Sequence, residues 1–386
     1  MTYATCRKWL SGPGGARRRL SIAVFVAAWL LPIGAARAMA EEKTTPADKY
    51  ETPLAVEARI RDTVEYLASD ELQGRGLGTK GLDRAAGYIG QQFIQLGLKT
   101  DLCNGGPFQS FVVRTHKDKL RRQVDWWSIL AQAAGTDGAA THEAGKPSPA
   151  TRTREKPKRT KSGKARIKNV IAVLESQGPR AEETIVIGAH YDHLGEQRDA
   201  DGEPIVFNGA NDNASGTAAL LEIARVLSQH KQKLPRRVVF VAFSGEEHGL
   251  LGSLHYVGHP PIPLEKTIAM INLDMIGRME GDQLSAMGTG SSTALFKAAE
   301  TVAKSHGIQL LPIPGNMPCS DHAPFYSRGV PVIHFLTLVG MQDYHQPSDT
   351  AEKLDYPGIR RIAMLAADLA VAVAIASSVR DRPVAA

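Results

Sequence analysis

From Lys168 onward the apolar residues fall into short continuous runs separated by longer stretches with helical spacing. The runs are NVIAVL (169–174), TIVIGAH (184–190), RVVFVAFS (237–244), IAMINLDM (268–275) and VPVIHF (330–335). Strands that are apolar throughout, rather than alternately, belong to sheets covered on both faces. Between the runs, GTAALLEIARVLSQH (216–230) and TALFKAAETVAKSHG (293–307) repeat their apolar residues every three or four positions. Two further amphipathic helices are predicted near the start, one carrying Ile60, Val64 and Leu67, the other Ala86, Ile89, Phe93 and Leu96. The closing stretch 359–379 is apolar enough to resemble a membrane span, but Asp368 and its short length favour a buried final helix. Strands alternating with helices predict an α/β fold: a mostly parallel mixed sheet sandwiched by helices on both faces.

Outside these periodic regions the pattern changes twice. A basic cluster at Arg17–Arg19, an apolar stretch from Leu20 to about Ala36 and small residues up to Ala40 read as a signal peptide over residues 1–40. Residues 116–167 lose periodicity and become rich in Gly, Ala, Pro, Thr and Lys/Arg after a short possible helix with Trp126 and Trp127. Such a composition buries too little apolar area to offset ordering, so a flexible basic insertion is expected. The domain plan is therefore a signal (1–40), the N-terminal part of the main domain (41–115), the insertion (116–167) and the bulk of the domain (168–380).

Charge changes the picture little. The chain carries a formal +6, but residues 1–40 hold six basic residues and no acid, which leaves the exported chain near neutral. The remaining basicity is concentrated in TRTREKPKRTKSGKARIK (151–168), with nine basic residues and one acid. No specific nucleic-acid partner is expected, and no stable membrane span after signal cleavage. Export, to a periplasmic or extracellular compartment, permits disulfides, yet nothing in the spacing of Cys103 and Cys319 brings them together, and their pairing stays open. Oligomeric state is not encoded legibly.

Ligands of open α/β sheets bind beyond the carboxyl ends of the strands. Here three runs end in metal-competent residues: His190, the adjacent pair Glu246-Glu247, and Asp274. A local reading exists for the glutamates, with Ser244 as N-cap and Glu247 closing a capping box. Yet several carboxylates on one rim raise one another's pKa, and a bound cation removes that cost. The loop NGANDNASG adds Asp212 and DYHQPSDT adds His345. Imidazole with carboxylate suits zinc, with Co2+ or Mn2+ as substitutes. The loop GRGLGTKG (74–81) is not a phosphate cradle, because it follows a helix and lacks the Lys-Ser/Thr ending.

The segments GAHYDHLG, NGANDNASG, FSGEEHGLLGS, INLDMIG, SDHAPF and DYHQPSDT occur in this order. Together they resemble the secreted co-catalytic zinc aminopeptidases, whose relatives include glutamate carboxypeptidases and glutaminyl cyclases. The resemblance covers about residues 55–115 and 168–375. It implies two zinc ions: His190 and Asp274 on one, Glu247 and His345 on the other, Asp212 bridging both, with a hydroxide between them. Glu246 is then the general base, Asp192 orients the His190 ring, and Tyr344 is similar to a tyrosine that hydrogen-bonds the tetrahedral oxyanion. His193, His248 and His322 are read as structural or rim residues. Cys319 marks a departure, since some secreted members carry arginine just before the Ser-Asp. The function implied is hydrolysis of N-terminal peptide bonds of peptides or proteins, with Glu246 and Asp274 as candidate receptors for the free amine. The alternatives are a carboxypeptidase or dipeptidase on the same site, a one-zinc glutaminyl cyclase, or an inactive receptor-like module.

Overall fold

The computed structural model describes residues 51–116, 162–229, 234–315, 317–339 and 341–379. The expected signal peptide and the part of the expected insertion at 117–161, with Trp126 and Trp127, lie outside the described residues.

Strand β1 (Phe108–His116) pairs antiparallel with β2 (Ser162–Leu174), from Phe108 opposite Val170 to His116 opposite Ser162. Residues 162–167, placed in the insertion on composition, are therefore strand. β2 runs antiparallel to β6 (Arg237–Phe243), and β6, β3 (Thr184–His190), β7 (Thr267–Leu273) and β10 (Val332–Leu336) follow as parallel neighbours. β8 (Gln283–Met287) runs antiparallel to β10, and β9 (Gln309–Ile313) closes the edge parallel to β8. The eight-stranded sheet is thus mixed, in the order β1-β2-β6-β3-β7-β10-β8-β9. A separate hairpin joins β4 (Gly195–Arg198) to β5 (Pro204–Phe207).

Both faces of the sheet are covered, which explains the uninterrupted apolar strands. Successive side chains of β6 point to opposite sides. Val238, Phe240 and Ala242 enter one core, and Val239, Val241 and Phe243 enter the other. The larger core is closed by helices α1 (Pro53–Leu67), α2 (Lys80–Gln95), α3 (Gly216–Ser228), α5 (Thr293–Ser305) and α7 (Tyr356–Ile375). On the second face α4 (Leu251–Gly258) and α6 (His322–Ser327) contribute Tyr256, Val257 and Phe325. Each fully buried aromatic or branched side chain stabilises the fold by about 1.5–3 kcal/mol relative to exposure.

The caps follow the sequence. Thr52, Thr79 and Asp355 accept hydrogen bonds from backbone N–H groups in the first turns of α1, α2 and α7. Asp368, the one acid inside the apolar closing stretch, accepts from His306 at 2.8 Å. No described helix is long and apolar enough to cross a membrane. Leu96 lies one residue past the end of α2 and is only half-buried.

Candidate metal centre

Because β6, β3, β7 and β10 are parallel, their carboxyl ends open on one rim. β3 ends at His190, β6 leads directly into Ser244–Glu247, and β7 ends one residue before Asp274. No helix starts at Ser244: α4 begins only at Leu251, so the glutamate pair sits in a turn rather than in a capping box. Asp212 arrives from the loop ahead of α3, and His345 from the connection between β10 and α7, with φ +57°.

These residues converge. The His190 Nε2 lies 3.3 Å from both Asp212 Oδ1 and Asp274 Oδ1. His345 Nε2 lies 3.1 Å from Asp212 Oδ2 and 3.0 Å from Glu247 Oε2. The two oxygens of Asp212 thus face two different groups of side chains. His190, Asp212, Glu246, Glu247 and Asp274 are all buried.

A further histidine joins them. His193 Nδ1 is 2.8 Å from Glu247 Oε1 and 3.9 Å from Asp212 Oδ2, a buried structural contact rather than a place on the rim. Its place three residues after His190 in HYDH was visible in the sequence, but its approach to Glu247 was not. Asp192 sits behind His190: its backbone oxygen is 3.3 Å and its carboxylate 3.8 Å from His190 Nδ1. The same carboxylate accepts from the Glu246 backbone N–H at 3.1 Å, tying the turn that carries Glu246 to the end of β3. Tyr344 stacks on His345 with ring centroids 3.8 Å apart.

Two supports have no counterpart in the sequence reading. Asp349 accepts from the backbone N–H groups of Asn211 and Asp212, at 2.9 and 3.0 Å, and so fixes the Asp212 loop. Arg278 bridges Asp349 and Asp343 at 3.2 and 2.7 Å. Arg75, fully buried, comes from the glycine-rich loop and donates to the backbone oxygens of Tyr191, Leu67, Asn208 and Gly209. That loop therefore clamps the rim instead of cradling an anion. It requires glycine at Gly74, with φ +57°, where a Cβ would stand 2.4 Å from the Phe207 oxygen.

The clustered carboxylates favour positive charge on the imidazoles beside them. Burial disfavours the charged imidazolium of His190, yet Asp274, Glu246 and Asp212 raise its pKa well above the ordinary range. His345 is likewise opposed by burial but raised to about 10 by Glu247 and Asp212. Burial and Asp212 push Glu247 up, but His345 and His193 outweigh them and bring it down to about 2. Glu246 moves the other way. Burial, and then Glu247, Asp274 and Asp321 against the pull of His190, raise it well above the usual carboxylate range. The donor set suits a borderline divalent ion such as zinc, and His190–Asp212–Asp274 and His193–Asp212–Glu247 each gather candidate ligand atoms within 4.8 Å of one another.

Residues 169–370 match the profile of Peptidase family M28. The chain belongs to Peptidase family M28. Aminopeptidase YwaD of Bacillus subtilis is 31% identical over 197 residues, which cover 48% of this chain and 40% of that relative. The chain thus spans less than half the length of that relative. The aminopeptidase from Aneurinibacillus sp. strain AM-1 shares the fold, with a TM-score of 0.59 at 19% identity over 85% of this chain and 96% of its own. So does the glutaminyl cyclase of Porphyromonas gingivalis, with a TM-score of 0.56 at 18% identity over 82% and 97% of the two chains. Cys103 and Cys319 are both free thiols.

Proposed function

We propose that this M28 chain is an exported metallo-aminopeptidase that holds two zinc ions and hydrolyses the N-terminal peptide bond of peptides or proteins. The observation that carries the reading is the division of Asp212, with Oδ1 facing His190 and Oδ2 facing His345. One set would be His190, Asp274 and Asp212; the other Glu247, His345 and Asp212, with His193 against Glu247. Zinc, when bound there, supplies a water of lowered pKa and a Lewis acid for the scissile carbonyl. Export rests on the basic-apolar-small pattern of residues 17–40.

The chain's own groups account for the proton traffic. Glu246, buried at the rim beside Glu247 and Asp274, takes the proton of the attacking water and returns it to the departing amine. The backbone bond from Glu246 to Asp192 holds that carboxyl against the rim while Asp192 orients His190. Tyr344 keeps its proton, since burial and the surrounding carboxylates push its phenol far up, and it offers a donor to the tetrahedral oxyanion. The carboxyls of Glu246 and Asp274 are the acidic groups available to the substrate's free amine.

A panel of aminoacyl anilides tests the assignment. Free-amine substrates are cleaved and their N-acetylated counterparts are not; cleavage only of substrates with a free carboxyl end would point to a carboxypeptidase. Tight binding of one zinc, with no hydrolysis of leucyl amides, would favour a glutaminyl cyclase.

A further inference from the structure

A second group of metal-competent side chains lies one strand away from the Asp212 centre. His334 sits on β10 opposite Asn272, two residues before Asp274, and His322 opens α6. Their rings approach to 4.5 Å between centroids. Cys319 faces them, and the ligand atoms of Cys319, His322 and His334 all lie within 4.8 Å of one another. Met287, at the end of β8, brings its Sδ to 3.7 Å from the Cys319 Sγ.

What sets this group apart is its lack of internal partners. His322 and His334 are 0% and 2% exposed, and none of their four ring nitrogens makes a hydrogen bond of ordinary geometry. Each unmet buried polar group costs about 1–3 kcal/mol. Two imidazoles turned to one another and to a thiol bear that cost together unless something between them accepts their lone pairs. Neutral imidazole is the form that ligates. A backbone group of Met317 lies against His322 and one of Asp274 against His334. Cys319 remains partly accessible, which leaves a way in from the surface.

We propose that Cys319, His322 and His334, with Met287 as a weak fourth donor, form a binding site for a thiophilic cation, zinc or copper(I), distinct from the Asp212 centre. One thiolate, two imidazoles and a thioether suit soft or borderline ions and not magnesium or calcium. As the metal–sulfur bond forms, the Cys319 S–H proton leaves to solvent; no electron is transferred. The site shares no ligand with the Asp212 centre and does not depend on the peptidase reading.

Cobalt(II) reports on it directly, because only a sulfur ligand gives an intense thiolate-to-metal charge-transfer band. The full chain with C6S and C103S, keeping Cys319 as its only thiol, is stripped of metal and titrated with cobalt. The band appears, and uptake exceeds that of the same chain carrying C319S by about one equivalent. H334Q abolishes the band but keeps the cobalt bound at the Asp212 centre, which also certifies that the variant is folded. Absence of the band at saturating cobalt overturns the proposal. So does a band that persists unchanged in both H334Q and H322Q, which would mean adventitious binding to a lone thiol. Competition identifies the ion: displacement of cobalt by zinc or by copper(I) supports the site, with the stronger competitor its occupant, and displacement by neither overturns it.

Discussion

Glu246 and Glu247 are adjacent in the chain, equally buried and opposite in proton affinity. Glu247 is lowered because two imidazoles face it, whereas Glu246 has three carboxylates and one imidazole around it. E246Q removes the carboxylate proposed as base while keeping the size and the turn; turnover falls by about 10²–10⁴-fold and metal content stays at the wild-type level. Full activity in that variant, measured beside its zinc content, would remove Glu246 from the mechanism. The raised histidines carry a second consequence. In the metal-free chain His345, at about 10, and His190 hold protons at neutral pH. Both must lose them to ligate, so in the C319S chain, where the Cys319 thiol adds no proton, loading with zinc at pH 7 releases about two protons per chain, and affinity falls as pH falls. A pH indicator in weak buffer measures this; release of none would contradict the ligand set. Residues that chemistry makes conspicuous, such as His190 and Asp274 at strand ends, were legible. His193, Asp349 and Arg75 were not, because each acts through a neighbour remote in sequence.

At the scale of elements, the helices over the larger core hold the rim in place. α7 buries Leu365 and Leu369 completely. L365A lowers unfolding free energy by about 2–5 kcal/mol, read by denaturant titration. Between α1 and α3, Arg59 and Arg225 approach the buried Glu222 at 3.0 and 2.7 Å, and Arg225 reaches Glu51 at 2.8 Å. Burial raises the pKa of Glu222, but the two guanidiniums outweigh it and lower it below the ordinary value. Its contribution is therefore fully present above the unfolded carboxyl pKa, about 4.3, and is lost as pH falls through the depressed folded one. E222Q costs about 1–3 kcal/mol at neutral pH, and the gap in melting temperature to the wild type narrows on acidification. A gap constant with pH would leave the network without an electrostatic role. The uninterrupted strands β3, β6 and β7 were readable because burial on both faces forces apolar residues everywhere. β1, β8 and β9 were not read: β9 is an exposed edge strand interrupted by Pro312, and β8 offers only five residues. The four-residue strands β4 and β5 and the eight-residue α4 are too short for their periodicity to stand out.

For the whole molecule, the sheet gathers ligands that are far apart along the chain, and the family resemblance supplied their order. The composition shift after His116 did not reveal that β1 and β2 extend to its two ends. His116 and Ser162 are paired neighbours, so a two-residue Asn-Gly turn can join them. Replacing residues 117–161 in this way leaves the fold and the anilide hydrolysis at wild-type level; loss of either would make the segment part of the enzyme. The central claim is a two-ion centre divided by one carboxylate, and anomalous diffraction at the zinc edge from crystals of the full chain tests it most directly. The account predicts two peaks about 3.5–4 Å apart, one between His190 and Asp274 and one between Glu247 and His345, with an Asp212 oxygen on each. A single peak at that rim, or two ions that do not share Asp212, would contradict it.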